Sequence, residues 1–166
     1  MSILELSVAV CALLAMTSIL IGVLRCGISP MPSSRSQTEA VLSLLPPLPD
    51  GPIYELGSGW GGVAIRLARA HPDRMICGYE VSTIPYLFSR VMGRFFGLQN
   101  LQFQRKDFLE QDLSEAAAVV CYLFPQGMKR LSEKIEEQSV VVSNTFALPG
   151  REPERIIRLR DRHRTR

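Results

Sequence analysis

The residues best suited to chemistry form the segment Glu55-Leu-Gly-Ser-Gly-Trp-Gly61, in which Gly57, Gly59 and Gly61 alternate with other residues. Glycine tolerates positive φ and lets backbone amides approach a ligand without an intervening Cβ, so a loop of this kind is typical of a ligand cradle. With Glu55 two positions ahead of Gly57, the segment has the form acid-x-Gly-x-Gly-x-Gly, which differs from the consensus of pyrophosphate-binding loops, although Gly57, Gly59 and Gly62 also fit Gly-x-Gly-x-x-Gly. The pattern predicts a cofactor that lacks a pyrophosphate, with a glycine-rich structural turn as the alternative.

Two further acids follow the next apolar runs of the chain. Glu80 comes twenty-five positions after Glu55, where a carboxylate can accept hydrogen bonds from both hydroxyls of an adenosine ribose. Asp107 follows the third run, where it can accept from an adenine amino group while Phe108 lies against the ring. Taken singly, either acid is more often a surface residue or a helix cap. Together with the glycine loop, they predict a ligand that contains adenosine.

These residues resemble the motifs of the class I, seven-β-strand, S-adenosylmethionine-dependent methyltransferases, over roughly residues 34–149. The resemblance implies S-adenosyl-L-methionine as the cofactor. It also implies that the glycines line the methionyl part, that Glu55 reaches toward the ammonium directly or through water, and that Glu80 and Asp107 hold the ribose and the adenine. The implied cofactor-binding residues are Glu55, Gly57, Ser58, Gly59, Gly61, Glu80, Asp107 and Phe108.

The fourth apolar run ends in Tyr122-Leu-Phe-Pro125, and in the resembling family this strand end faces the transferable methyl group. Tyr122, Phe124 and Pro125 are therefore the predicted catalytic residues. Methyl transfer is an in-line displacement that depends chiefly on positioning, and a partly desolvated site lowers the pKa of an ammonium so that an amine arrives uncharged. The segment differs from the Asn-Pro-Pro-Tyr of amide and base methyltransferases, which disfavours those acceptors. Ordinary strand packing of Tyr122 and Phe124 is the alternative.

Together with the apolar N-terminus and the Ser/Gln segment at residues 34–38, this segment resembles a narrower group. It consists of small membrane-associated protein-lysine methyltransferases related to those acting on mitochondrial carrier and ATP synthase subunits. The narrower resemblance implies a lysine amine of a membrane-associated protein as the methyl acceptor. A small molecule or a lipid remains an alternative acceptor.

The elements that must position these residues are short apolar runs separated by helical-length segments, which predict a doubly wound, mostly parallel α/β sheet. Such sheets bind ligands at the carboxyl ends of their strands. Helices are predicted between the first and second strands, ending before Pro72, and between the second and third, ending at Gly97. The predicted strands are Ile53–Leu56, Met75–Tyr79, Leu101–Gln104, Val119–Phe124 and Val140–Thr145, with a sixth at Arg155–Arg160.

The N-terminal segment differs from the rest of the chain. Residues 6–24 contain no charge and span about 30 Å as a helix, which predicts a single-pass transmembrane anchor at residues 1–26. Arg25 and Arg35 follow it, so the positive-inside rule places the remainder in the cytoplasm. Residues 27–51 are predicted as a linker with one short helix at Gln37–Leu45, and residues 52–166 as the methyltransferase domain. Cysteines fall singly, without the spacing of a metal site.

Two further observations concern the possible partners and the alternative functions. The net charge of +3 is too small to make nucleic acid the expected partner. The family fold continues past residue 149 into two strands, of which the chain supplies one, so the last strand is missing or comes from another chain. The open sheet edge predicts self-association. The alternatives are a non-catalytic anchored module that binds cofactor and a dinucleotide-dependent oxidoreductase, which the lack of room for a substrate domain disfavours.

Overall fold

The computed structural model describes residues 2–26 and 32–159 and contains a five-stranded sheet. The strands are β1 (Ile53–Leu56), β2 (Ile76–Tyr79), β3 (Leu101–Gln104), β4 (Ala118–Cys121) and β5 (Val141–Ser143), in the spatial order β3-β2-β1-β4-β5. Every neighbouring pair is parallel. All residues of β1, β2 and β4 are buried, as expected for strands covered on both faces. The predicted doubly wound α/β sheet is therefore confirmed.

Helices lie on both faces of this sheet. They are α1 (Ile3–Cys26), α2 (Arg35–Leu44), α3 (Gly62–Ala70), α4 (Thr83–Phe95) and α5 (Pro125–Ser132), with a 3₁₀ turn at Phe108–Glu110. Side chains of β1 alternate between two apolar cores, because successive strand residues point to opposite faces. Ile53 packs in the core that contains Leu67 of α3, and Leu56 packs in the one that contains Met128 and Leu131 of α5.

The helix ends follow from identifiable residues. Ser34 caps α2, with its hydroxyl accepting from the Gln37 amide and the Gln37 side chain accepting from the Ser34 amide. Pro85 lies in the first turn of α4, and Pro125 opens α5 at a position where a missing amide proton costs no helical hydrogen bond. The apolar pattern does not predict α5, because Pro125 and Gly127 resemble a turn.

Two side chains tie together the amino ends of the strands. The Asn100 amide donates to the carbonyls of Ala68, His71 and Arg74 at 2.9–3.1 Å. The Arg74 guanidinium donates to backbone carbonyls at Leu48, Pro49 and Gly51, just before β1. Since buried carbonyls without a partner are costly, these contacts stabilise the end of the sheet at which β1 and β2 begin.

The two chain ends differ from the predictions. Counting only the residues that the structure describes, no helix is both long enough and apolar enough to cross a membrane. The anchor at residues 1–26 and the domain boundaries stay predictions, and residues 27–31 of the linker lie outside the described residues. The predicted strand at Arg155–Arg160 is wrong over residues 155–159, which have no regular structure. Ile156 and Ile157 are exposed there and have no apolar surface to pack against; Arg160 lies outside the described residues.

Candidate functional site

A pocket lies at the carboxyl ends of β1, β2 and β4, where the sequence predicts the ligand site. The glycine loop after β1, the end of β2, the segment after β3 and the end of β4 all contribute walls. Of the predicted site residues, the pocket is lined by Glu55, Gly57, Ser58, Gly59, Glu80, Asp107, Phe108, Tyr122 and Phe124. Gly61 and Pro125 do not line it. Nine of the eleven predicted site residues therefore lie around one cavity. Their individual roles stay predictions.

The glycine loop is held in a conformation that glycine favours. Gly57, Gly59 and Gly61 have φ values of 72°, 52° and 80°. The amides of Gly57 and Ser58 donate to the Tyr79 carbonyl at 3.0 and 2.9 Å, which ties the loop to the end of β2. A Cβ at Gly57 would lie 3.2 Å from the Leu123 side chain. The loop thus turns sharply beside β2 and β4 and leaves its backbone facing the pocket.

In the structure, Gly61 allows neighbouring elements to pack closely. A Cβ there would lie 2.7 Å from both the Phe103 ring and the Ser89 Cβ. Gly61 also stands immediately before α3, with its φ in the left-handed region. The third glycine of the motif is therefore required by the close approach of α3 to the sheet and to α4.

The two acids predicted to bind the adenosine, Glu80 and Asp107, both accept hydrogen bonds from backbone amides. Glu80 accepts from the amide of Gly59 at 2.8 Å and from that of Ser82 at 2.7 Å, through different carboxylate oxygens. Asp107 accepts from the Leu109 amide at 2.9 Å and so caps the 3₁₀ turn. The capping alternative is thus real for Asp107, but each carboxylate oxygen has a second lone pair, and both acids line the pocket. Ligand binding and loop support are compatible at these positions.

Within the described part of the chain, Glu55 is the carboxyl group whose pKa departs furthest from its ordinary value. Its side chain is buried, and its Oε2 has no hydrogen-bond partner among the residues that the structure describes. Burial raises the pKa of Glu55 to about 8, a hydrogen bond from the Ala64 backbone lowers it, and the nearby Glu80 raises it. Glu55 therefore carries a proton at neutral pH until a positive charge comes close to it.

Three residues that line this cavity each have a buried polar atom without a hydrogen-bond partner in the described part of the chain. The atoms are Glu55 Oε2, Ser58 Oγ and Asn144 Nδ2. Buried polar atoms are normally hydrogen-bonded, so orphans converging on a cavity indicate the polar groups of a ligand. Asn144 is missing from the predicted site, although it directly follows β5 and the rule that ligand residues end the strands would have found it.

The other side of the pocket is largely aromatic. Tyr122 is half-buried, and Phe124 is exposed and packs edge-on against Phe146 at a centroid distance of 6.0 Å. Both follow β4, which ends at Cys121, so they have left the strand ladder and the packing alternative does not describe them. Pro125 instead opens α5. Additional lining residues that the sequence does not single out include Pro32, Ser33, Gln126 and Arg130.

Comparisons with known proteins agree with this geometry. Residues 55–155 match the family model described as the ANTKMT methyltransferase domain. A search of curated proteins found no match. Among solved structures, the chain is similar to an RNA methyltransferase from Salinibacter ruber in complex with S-adenosyl-L-homocysteine. The two share 28% identity and a TM-score of 0.69, over 78% of this chain and 87% of that chain.

Two more distant structures share the fold. A precorrin-6y C5,15-methyltransferase from Geobacter metallireducens GS-15 is 17% identical, with a TM-score of 0.56 over 68% of this chain and 62% of that one. A geranyl diphosphate C-methyltransferase from Streptomyces coelicolor A3(2) is 17% identical, with a TM-score of 0.52 over 65% and 44%. Because the family match spans more than half of the chain and includes the glycine loop, the chain belongs to the ANTKMT methyltransferase domain family and is an S-adenosylmethionine-dependent class I methyltransferase.

Proposed function

We propose that this protein transfers a methyl group from S-adenosylmethionine to a lysine amine of a membrane-associated protein. The observation that carries the proposal is the composition of the pocket lining. It includes Glu55 and Ser58, each with a buried polar atom that has no partner among the described residues, and the aromatic residues Tyr122 and Phe124. We call these two groups of residues the polar part and the aromatic part of the pocket. A polar cofactor suits the first part, and a long side chain with an apolar stem suits the second.

The residues of the polar part fit the cofactor group by group. Glu55 Oε2 would accept from the cofactor ammonium, and Glu80 would accept from the ribose hydroxyls with the lone pairs that its two amide contacts leave open. Asp107 would accept from the adenine amino group, with Phe108 against the ring. The bound cofactor supplies an electrophilic methyl group on a sulfonium. Gly57 and Gly59 leave room for its methionyl part.

The aromatic part prepares the acceptor. An amine must lose its proton before it can act as a nucleophile, and a partly desolvated wall formed by Tyr122 and Phe124 lowers the pKa of its ammonium form. The positive charge of Arg130, which also lines the pocket, acts in the same direction. Positioning at near-contact distance then supplies most of the rate enhancement.

Membrane association is supported by α1. Its described side chains include the exposed apolar residues Ile3, Leu6, Val8, Leu13 and Met16. An exposed apolar surface of this extent marks a contact with lipid or with another protein. A single-pass anchor with the catalytic domain in the cytoplasm is the arrangement that the flanking arginines favour.

A small molecule or lipid is a second candidate acceptor. Arg130 at the pocket wall favours an acceptor with an anionic group, which a lysine side chain lacks. RNA is a third acceptor to be tested, because one similar structure is described as an RNA methyltransferase. Nucleic acid remains the less favoured choice on the net charge of +3.

The experiment is incubation of the protein with isolated membranes, total RNA and S-adenosylmethionine labelled in the methyl group. We expect labelled protein bands whose acid hydrolysate contains methyl-lysine. Gly59→Arg fills the cofactor loop and should abolish the label, while Gln138→Arg adds the same charge at an exposed position and should keep it. Label that appears only in lipid or RNA, or equal label with Gly59→Arg, would contradict the proposal. Calorimetry with S-adenosylhomocysteine shows whether a variant without label has lost cofactor binding or has lost only the transfer of the methyl group to the acceptor.

A further inference from the structure

Helix α4 turns its large apolar side chains toward solvent. Leu87, Phe88, Val91 and Phe95 form what we call the α4 ridge, and Val91 and Phe95 are 63% and 78% exposed. The residues are spaced at i, i+1, i+4 and i+8, so they share one side of the helix. The buried side of α4 carries small residues, among them Ser89 and Gly93. Tyr86 and Met92 are large side chains of α4 that pack partly against the core, so the helix has large apolar residues on both its inner and its outer side.

Arginines accompany the α4 ridge on the same helix and on α3. Arg90 and Arg94 lie on α4, and Arg66 and Arg69 lie on α3, while neither helix contains an aspartate or a glutamate. The Arg69 guanidinium lies over the Phe96 ring at 4.3 Å, next to the end of the ridge. An apolar stripe bordered by uncompensated arginines is the pattern of a surface that lies on anionic lipid.

The apolar surface extends beyond α4. Helix α1 contacts α4. Its described side chains include exposed apolar residues as well as Glu5, Ser7 and Thr17, and the α4 ridge stays exposed with α1 in place. At its other end the ridge reaches the pocket, because Phe88 packs edge-on against Trp60 at 5.3 Å and Trp60 lines the cavity. The ridge is thus continuous with α1 on one side and with the pocket rim on the other.

We propose that the α4 ridge and its arginines dock the catalytic domain onto the surface of an anionic lipid bilayer. The arginines complement the charge of the headgroups, and the ridge inserts among them to the shallow depth of interfacial side chains. Docking in this way orients the rim near Trp60 along the membrane surface. An acidic protein would match the arginines equally well, but an apolar surface shared by two helices favours lipid. The inference does not depend on which acceptor is methylated.

Trp60 provides the test, because it is the only tryptophan of the chain and lies against the ridge. The full-length protein is mixed with vesicles of zwitterionic lipid alone or with an added anionic lipid, whose acyl chains carry bromine close to the headgroups. Bromine quenches tryptophan fluorescence on contact, so quenching reports docking even where α1 alone holds the protein on the vesicle. We expect quenching with the anionic vesicles and much less with the zwitterionic ones.

Two variants remove the docking surface. Arg90→Glu with Arg94→Glu should lower the affinity of docking on the order of tenfold or more, since each basic residue near an anionic surface contributes measurably. Val91→Ser with Phe95→Ser should lose the quenching without unfolding the protein, because both side chains are exposed. S-adenosylhomocysteine affinity, measured in solution, should be unchanged in both.

The C-terminal segment offers matched controls. Arg155→Glu with Arg158→Glu makes the same change of charge, and Ile156→Ser with Ile157→Ser removes two exposed apolar side chains away from α4. In both controls, the fluorescence of Trp60 should be quenched as strongly as in the unaltered protein. The proposal is overturned if the unaltered protein binds vesicles without quenching of Trp60, or if the α4 variants are quenched as strongly as the controls. A response of Trp60 to an acidic polypeptide and not to vesicles would likewise overturn it in favour of a protein partner.

Discussion

Replacement of Glu55 by glutamine should uncouple both stability and cofactor binding from pH. The native pKa of Glu55 is raised from 4.5 to about 8, chiefly by burial. Between these two values the native protein holds one more proton than the unfolded chain, so the free energy of unfolding falls as pH rises. The slope is about 1.4 kcal/mol per pH unit, which amounts to about 2–3 kcal/mol between pH 5.5 and 7.5. Glu55→Gln is isosteric and should remove this contribution.

Cofactor binding should show the opposite dependence on pH. The ammonium of the cofactor favours the ionised form of Glu55, so binding at neutral pH has to release the proton that burial retains. With a pKa of about 8, roughly 0.9 proton leaves at pH 7, and affinity rises about fiftyfold from pH 6 to pH 8. Glu55→Gln should bind S-adenosylhomocysteine more weakly at pH 8 and with little dependence on pH.

Calorimetry with S-adenosylhomocysteine, in two buffers of different ionisation enthalpy, counts the released protons directly. Urea unfolding of the ligand-free protein across the same pH range gives the stability slope. Glu133→Gln, at an exposed position, is the matched control and should release protons as the unaltered protein does. An equal proton count in Glu55→Gln and in the unaltered protein would refute the reasoning, as would an affinity that is independent of pH in the unaltered protein.

Three further predictions concern Gly61, Asn144 and Phe124. Gly61→Ala should lower the free energy of unfolding by about 2–4 kcal/mol, because its φ is 80° and the new Cβ would meet Phe103, whereas Gly62→Ala has open space and should be nearly neutral in the same urea titration. Asn144→Ala should change stability little, since Nδ2 has no partner in the described structure and the hydrogen bond that Oδ1 accepts from the Thr145 hydroxyl is exposed, but should lower kcat/KM about tenfold; unchanged kinetics would remove Asn144 from the site. Phe124→Ala should raise the KM for the methyl acceptor about tenfold and leave S-adenosylhomocysteine affinity unaltered in calorimetry, and a loss of cofactor affinity instead would assign Phe124 to the cofactor.

The central strands could be predicted because burial on both faces leaves continuous apolar runs. Ile53–Leu56 was found at the predicted bounds, and β2 begins one residue later than predicted, at Ile76. Leu101–Gln104 also has the predicted bounds, although it lies at the edge of the sheet and is only partly buried. The fourth run was too long, since β4 ends at Cys121 and the following aromatic residues form the pocket wall. An apolar side chain that faces a ligand cannot be told from one that faces a core by its type alone.

The remaining differences come from tertiary contacts that local patterns do not contain. α5 forms because Met128 and Leu131, three positions apart, both reach the core, which outweighs the turn-like Pro125 and Gly127. The small size of Gly61 is needed beside Phe103, a residue far along the chain, and its predicted contact with the cofactor stays a prediction. The positions of Glu55 and Glu80 at the pocket were easier to predict, because each lies at the carboxyl end of a strand whose position is clear.

The hydrogen bonds of Arg74 and Asn100 have a consequence for how this fold diversifies. They hold the amino ends of β1 and β2, whereas Glu55, Ser58 and Asn144 leave polar atoms open at the carboxyl ends. Structural integrity and molecular recognition therefore reside at opposite poles of the sheet. Related proteins can therefore differ in the residues of the pocket rim, and with them in the methyl acceptor, while the contacts at the other end of the sheet keep the fold stable.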